Sequence, residues 1–156
     1  MPNYVTHSIV NIGLASPLSI IAYKGILENR VTLESAACFF VGYTLSTFVL
    51  SPDLDLATSQ IAKNWGRLKF LSWGYSKVFH HGQFSHRPVL GTLSRYVYVF
   101  LILFILAWMV SVGGFSLPLD FLKSNGDWVG WAFFGSCCAD IVHWFLDITT
   151  TYHKKK

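Results

Sequence analysis

Between Arg95 and Asp120 the chain carries no charge, and the run YVYVFLILFILAWMVSVGG that follows Arg95 is almost wholly apolar. As a helix, residues 95–114 would be about 30 Å long at 1.5 Å per residue, the thickness of a hydrocarbon core. This segment predicts a membrane-spanning helix and limits what the rest of the chain can fold into. The overall composition agrees, because only 13% of residues are charged where a soluble domain carries about 25%. A soluble fold of 156 residues would lack the polar side chains to cover itself. Aromatic residues, which collect at membrane interfaces, make up 17% of the chain. The length suits one domain over residues 1–156.

Three further segments are candidate spans. Residues 33–50 are broken only by Glu34, and residues 128–145 are apolar but carry Asp140 and His143 late in the segment. Residues 8–27 are the weakest, interrupted by Asn11, Pro17 and Lys24, and can be read either as crossing or as lying along the membrane. The expected fold is therefore an all-α integral membrane bundle of about four spanning helices. A polar loop over residues 51–94 separates the second from the third, and a connection over 115–127 contains Pro118 and the turn-like Ser124-Asn125-Gly126. No basic stretch precedes the first apolar segment, so no cleaved signal peptide is expected.

Four crossings put both termini and the 51–94 loop on one side. Lys63, Arg67, Lys69, Lys77, Arg87, Arg95 and Lys154, Lys155 and Lys156 then face Lys24, Arg30 and Lys123 across the membrane. The positive-inside bias makes the richer side cytoplasmic, with the protein in the inner (plasma) membrane and both termini in the cytoplasm. The net charge of +4 suits anionic headgroups. The bases are too dispersed for a nucleic-acid module, so no nucleic-acid partner is expected. Cys38, Cys137 and Cys138 sit in apolar runs with no disulfide or zinc-ribbon spacing and read as small hydrophobes.

That topology sorts the polar residues. His7 precedes the first span, Asp53 and Asp55 follow the second in Ser-Pro-Asp-Leu-Asp, and His80, His81 and His86 lie in the loop within FHHGQFSHR. Asp140, His143 and Asp147 occupy the end of the last span, at spacings of three and four that place them on one helix face. Ionisable groups in a span face the bundle interior, a wet cavity or a partner, and a divalent metal is one such partner. Asp140 and Asp147 could instead answer a nearby Arg or Lys, and Asp140 is the more open of the two. His153, beside the terminal lysines, reads as a solvated tail.

At these residues the chain resembles an uncharacterised metal-binding membrane protein family of bacteria, related to the LexA-regulated membrane-bound metal-dependent hydrolases. The likeness rests on SPDLD at 51–55, Trp65-Gly66, HHGQFSH at 80–86 and GTLSRYVY at 91–98. It implies His7, Asp53, Asp55, His86, His143 and Asp147 as ligand-type positions. Where the family pattern has His-Arg this chain has His80-His81, and either histidine fits.

Two functions follow. In the first, the protein is a metal-dependent hydrolase of a phosphoester or lipid-linked substrate, holding one or two ions, zinc first and manganese second. Arg87 and Arg95 would then bind phosphate, and Asp140 would support or join the ligands. In the second, the metal is structural or sensed and nothing is turned over. Haem ligation is disfavoured, because carboxylates flank His143 and no second histidine lies inside a span.

Overall fold

The computed structural model describes residues 4–56, 58–79, 87–110 and 124–154, with side-chain surroundings as far as residue 150. Its described residues are helical or loop, with no strand. Helix α1 (Tyr4–Leu27) runs unbroken through Pro17, so the polar interruptions do not end it. It stops at Asn29, whose φ of 53° is left-handed. Asn29 N donates to Ile26 O (3.0 Å) and Arg30 N to Gly25 O (2.9 Å). This pair of bonds satisfies the last carbonyls of a helix and reverses the chain. Thr32 then caps α2 (Leu33–Phe48), its side chain accepting from Ser35 N, and Glu34 sits in the first turn, where the helix dipole favours an acid.

Residues 51–79 are not an open polar loop. Pro52–Asp55 form a 3-10 turn, followed by α3 (Gln60–Asn64), a second 3-10 turn at Gly66–Leu68, and α4 (Lys69–Val78). Leu54, Ile61 and Tyr75 from this region bury against Leu50, with Tyr4, Trp65 and Tyr98 packed around them. The segment also caps α2, since Trp65 Nε1 donates to Val49 O (3.0 Å) and Asn64 Nδ2 to Phe48 O (2.8 Å). Those carbonyls lie at or just past a helix end, where intrahelical donors run out. Helix α5 (Pro88–Val110) begins seven residues earlier than residue 95, because Pro88 suits the first position of a helix, where its missing N–H costs nothing. Helix α6 (Gly126–Lys154) outlasts the expected 128–145 at both ends. The connection over residues 111–123 lies outside the described residues.

Among the described residues, three helices are long and apolar enough to cross a membrane: Tyr4–Leu27, Pro88–Val110 and Gly126–Thr150. Helix α2, with 16 residues, is about 24 Å long by its rise. Its most extensive packing is nevertheless against α6. Two glycines allow that approach. A Cβ on Gly42 would lie 1.8 Å from Ala132 O, and one on Gly135 would lie 2.0 Å from Phe39 O. Ser136 Oγ donates to Gly42 O (2.8 Å) across the seam. Small residues at a helix crossing serve this purpose in membranes, where close van der Waals packing replaces the hydrophobic drive. Gly42→Ala is therefore expected to push α2 off α6 and lower stability by about 1–3 kcal/mol, the usual cost of overpacking. Thermal melting of detergent-purified protein reads that loss. Gly130→Ala, at a position with nothing within 4 Å, is the control that should not melt earlier.

The cysteines are free, with Cys137 buried and Cys38 and Cys138 half-buried. Much apolar surface faces outward: Val97, Leu101, Leu103, Trp108 and Met109 on α5 are each more than half exposed.

Candidate metal centre

Four segments deliver polar side chains to one end of the bundle. His7 lies in the second turn of α1, the Pro52–Asp55 turn follows α2, Thr92 and Arg95 lie early in α5, and Asp140, His143 and Asp147 lie late in α6. Along α6, Ser136, Asp140, His143 and Asp147 repeat at spacings of four, three and four, one stripe facing the interior. All four are buried.

The lower part of the stripe is an ion-paired layer. Among the described residues the largest fully buried side chain is that of an arginine, Arg95. Its guanidinium pairs with Asp140. Thr92 Oγ1 also donates to Asp140, and Ser46 Oγ donates to its other oxygen at 2.6 Å. Asp140 thus ties α2, α5 and α6 together. Below it, Tyr96 and Ser136 share a 2.8 Å hydroxyl contact. Arg95 and Asp140, read from sequence as a phosphate contact and as a supporting or additional ligand, pair with each other one turn from His143. This is the nearby arginine that the sequence offered as an alternative for Asp140.

One turn further along α6 the partners change. His143 Nε2 lies 3.4 Å from Asp147 Oδ2 and 3.7 Å from Asp53 Oδ1. His7 Nε2 lies 3.4 Å from Asp147 Oδ1. These separations exceed the usual N–H···O distance of about 2.7–3.2 Å. They match the edge of a ligand tetrahedron, about 3.4 Å for ligand atoms about 2.1 Å from zinc. His7, His143 and Asp147 each offer a ligand atom within 4.8 Å of the others, and all three residues are less than a tenth exposed. The buried His7 Nδ1 and Ser8 Oγ have no hydrogen-bond partner among the described residues. Such groups are costly in a dry interior, and a group bound at this end would give them a partner. Ser51 Oγ lies 3.4 Å from His143 Nδ1. In the tautomer that protonates Nδ1, Ser51 accepts that proton and the Nε2 lone pair is left for a metal, a common arrangement behind ligating histidines. The donor set of imidazoles and carboxylates fits a divalent ion such as zinc or manganese.

The 3-10 curl of Pro52–Asp55 settles how two acids two apart behave here: Asp53 reaches His143, while Asp55 is buried in the same turn. Arg87 is exposed just before α5. His80, His81 and His86 lie outside the described residues. Ser46, Ser51, Thr92 and Ser136 were not singled out from sequence. Two of them had a local signal, since Thr92 stands three before Arg95 and Ser136 four before Asp140.

Over residues 2–156 the chain matches the uncharacterized metal-binding protein family (DUF2227). The chain belongs to that family. A similar protein is an uncharacterized protein of Aquifex aeolicus (strain VF5), 36% identical over 133 residues that cover 75% of this chain and 92% of the relative. No solved structure matches. The relation to the LexA-regulated hydrolases has no support beyond the sequence motifs.

Proposed function

We propose that this member of the metal-binding family is a multi-pass membrane protein that holds divalent metal at its cytoplasmic end and hydrolyses a phosphoester or lipid-linked substrate there. The observation that carries the reading is the meeting of His7, His143 and Asp147, with Asp53 beside them, at the end of a bundle whose outside is apolar. Helices α1 and α5 leave that end and α2 and α6 return to it, which makes four traverses. Helix α4 supports an interfacial placement: Phe70, Trp73 and Val78 are exposed, Ser72 and Tyr75 are buried, and Lys77 Nζ lies 5.3 Å from the Trp73 ring centroid. Apolar side chains flanked by lysines suit a headgroup layer. Lys63, Arg67, Lys69, Lys77 and Arg87 belong to the same end, so the positive-inside bias makes it cytoplasmic.

A divalent ion held at such ligands would supply Lewis-acid chemistry for hydrolysis, lowering the pKa of water and polarising a phosphoryl oxygen. His7, His143, Asp147 and Asp53 would hold it. Ser51 would keep the His143 ring in register, and the Arg95–Asp140 layer would fix α6 beneath it. Phosphate is assigned to Arg87, which is exposed just before α5. Metal-loaded, detergent-purified protein is expected to release product from a panel of phosphoesters and phospholipids, with activity lost on chelation. Arg87→Ala should raise KM about tenfold or more. The burial of His7 and His143 favours one other reading, a metal that only locks α1 to α6. No turnover across the panel, together with a large fall in melting temperature on chelation, would replace the hydrolase with that lock.

A further inference from the structure

The two histidines of the centre are stacked, with ring centroids 3.8 Å apart and planes within 8° of parallel. Rings that close and that parallel lie face to face, because coplanar rings at this separation would overlap. An imidazole donates its lone pair in the plane of its ring, to an ion about 2.0–2.1 Å from nitrogen. Ring faces in contact are about 3.5 Å or more apart. An ion in the plane of the His7 ring therefore stands over the face of His143, where no lone pair points. One ion cannot be an in-plane partner of both Nε2 atoms.

We propose that the centre is dinuclear, with His7 on one ion, His143 on the other, and Asp147 bridging the two. The inference rests on the metal-binding reading above and deepens it. Asp147 is arranged for a bridge, since its Oδ1 faces His7 Nε2 and its Oδ2 faces His143 Nε2, each at 3.4 Å. Asp53 Oδ1, 3.7 Å from His143 Nε2, belongs to the His143 ion. The ring spacing also agrees with the separation of ions in two-metal sites, about 3.5–4 Å. Asp147, at the end of the α6 stripe, is thus a shared ligand, and the two ions depend unequally on His7.

Full-length protein in detergent, loaded with manganese and freed of excess, tests this by metal analysis and by electron paramagnetic resonance. Wild type should hold about two ions per chain and give the broadened spectrum of an exchange-coupled pair. His7→Ala should keep about one ion, with the six-line pattern of an isolated manganese. His143→Ala should also lose at least one ion and the coupling. One ion per chain in wild type, with an uncoupled spectrum, would overturn the dinuclear centre and leave the metal-binding reading standing. No bound manganese in wild type would overturn both. The wild-type stoichiometry decides the matter even if a variant fails to fold.

Discussion

Replacing Asp140 by alanine is expected to lower the melting temperature of the purified protein by roughly 10 °C. The carboxylate is the meeting point of Arg95, Thr92 and Ser46, three side chains from two helices other than its own. Arg95 and Asp140 are each 1% exposed, so the guanidinium of the variant would keep its charge in a dry interior without the carboxylate built to meet it. Breaking a buried pair from one side costs about 3–5 kcal/mol, and for a chain of this size about 1 kcal/mol moves the midpoint by about 2–4 °C. The pair itself need not stabilise the fold, because the desolvation of two charges offsets much of their attraction. The double replacement Arg95→Met with Asp140→Leu should accordingly melt nearer to wild type than Asp140→Ala alone. Thermal scans of the three proteins in one detergent check this. A double variant as unstable as the single one would show that Thr92 and Ser46, not the charges, carry the contact.

The parts of the fold written in single segments were legible. The charge-free run after Arg95 marks a long apolar helix, and α5 is one. Its true start was hidden because Pro88-Val-Leu-Gly-Thr looks like a loop until Pro88 is placed at a helix N-terminus. Residues 51–79 were misread for another reason. Leu54, Ile61 and Tyr75 are scattered among polar residues, and only the folded chain shows that they share one core with Leu50. Pro17 and Asn11 weakened the case for α1, yet the helix runs through both; its buried residues are His7, Ser8 and Asn11, and Tyr43 OH donates to Asn11 O (3.0 Å).

The site divides in the same way. Asp140, His143 and Asp147 could be placed on one face from their spacing alone, since residues three and four apart on a helix are neighbours. Which of them answers a cation of the chain and which faces other ligand-type groups could not. Arg95 pairs with Asp140 across 45 positions, and His7 meets Asp147 across 140. Such pairings join residues far apart in the chain, and the α2–α6 seam is equally hidden, because glycines in apolar runs such as Gly42 and Gly135 give little warning of what they let approach. The ring stack of His7 on His143, from which the nuclearity is argued, has no sequence signature.

Loss of metal from a His143→Ala/Asp147→Ala double variant is the other large effect expected. His143 stands closest to the most carboxylate oxygens, with Asp147 Oδ2 at 3.4 Å and Asp53 Oδ1 at 3.7 Å, and Asp147 touches both histidines. In the proposed centre His143 holds one ion and Asp147 bridges both. Altering a residue behind a ligand typically weakens metal binding about 10–100-fold, and removing two ligands should do more, leaving only background metal after dialysis. The variant should remain in the membrane fraction and monodisperse in detergent, because the Asp140–Arg95 layer and the glycine seam are untouched. The decisive measurement is elemental analysis of wild type and this double variant, purified side by side from membranes. The account predicts stoichiometric divalent metal in the wild type and background levels in the variant. Full metal content retained by the folded double variant would contradict it.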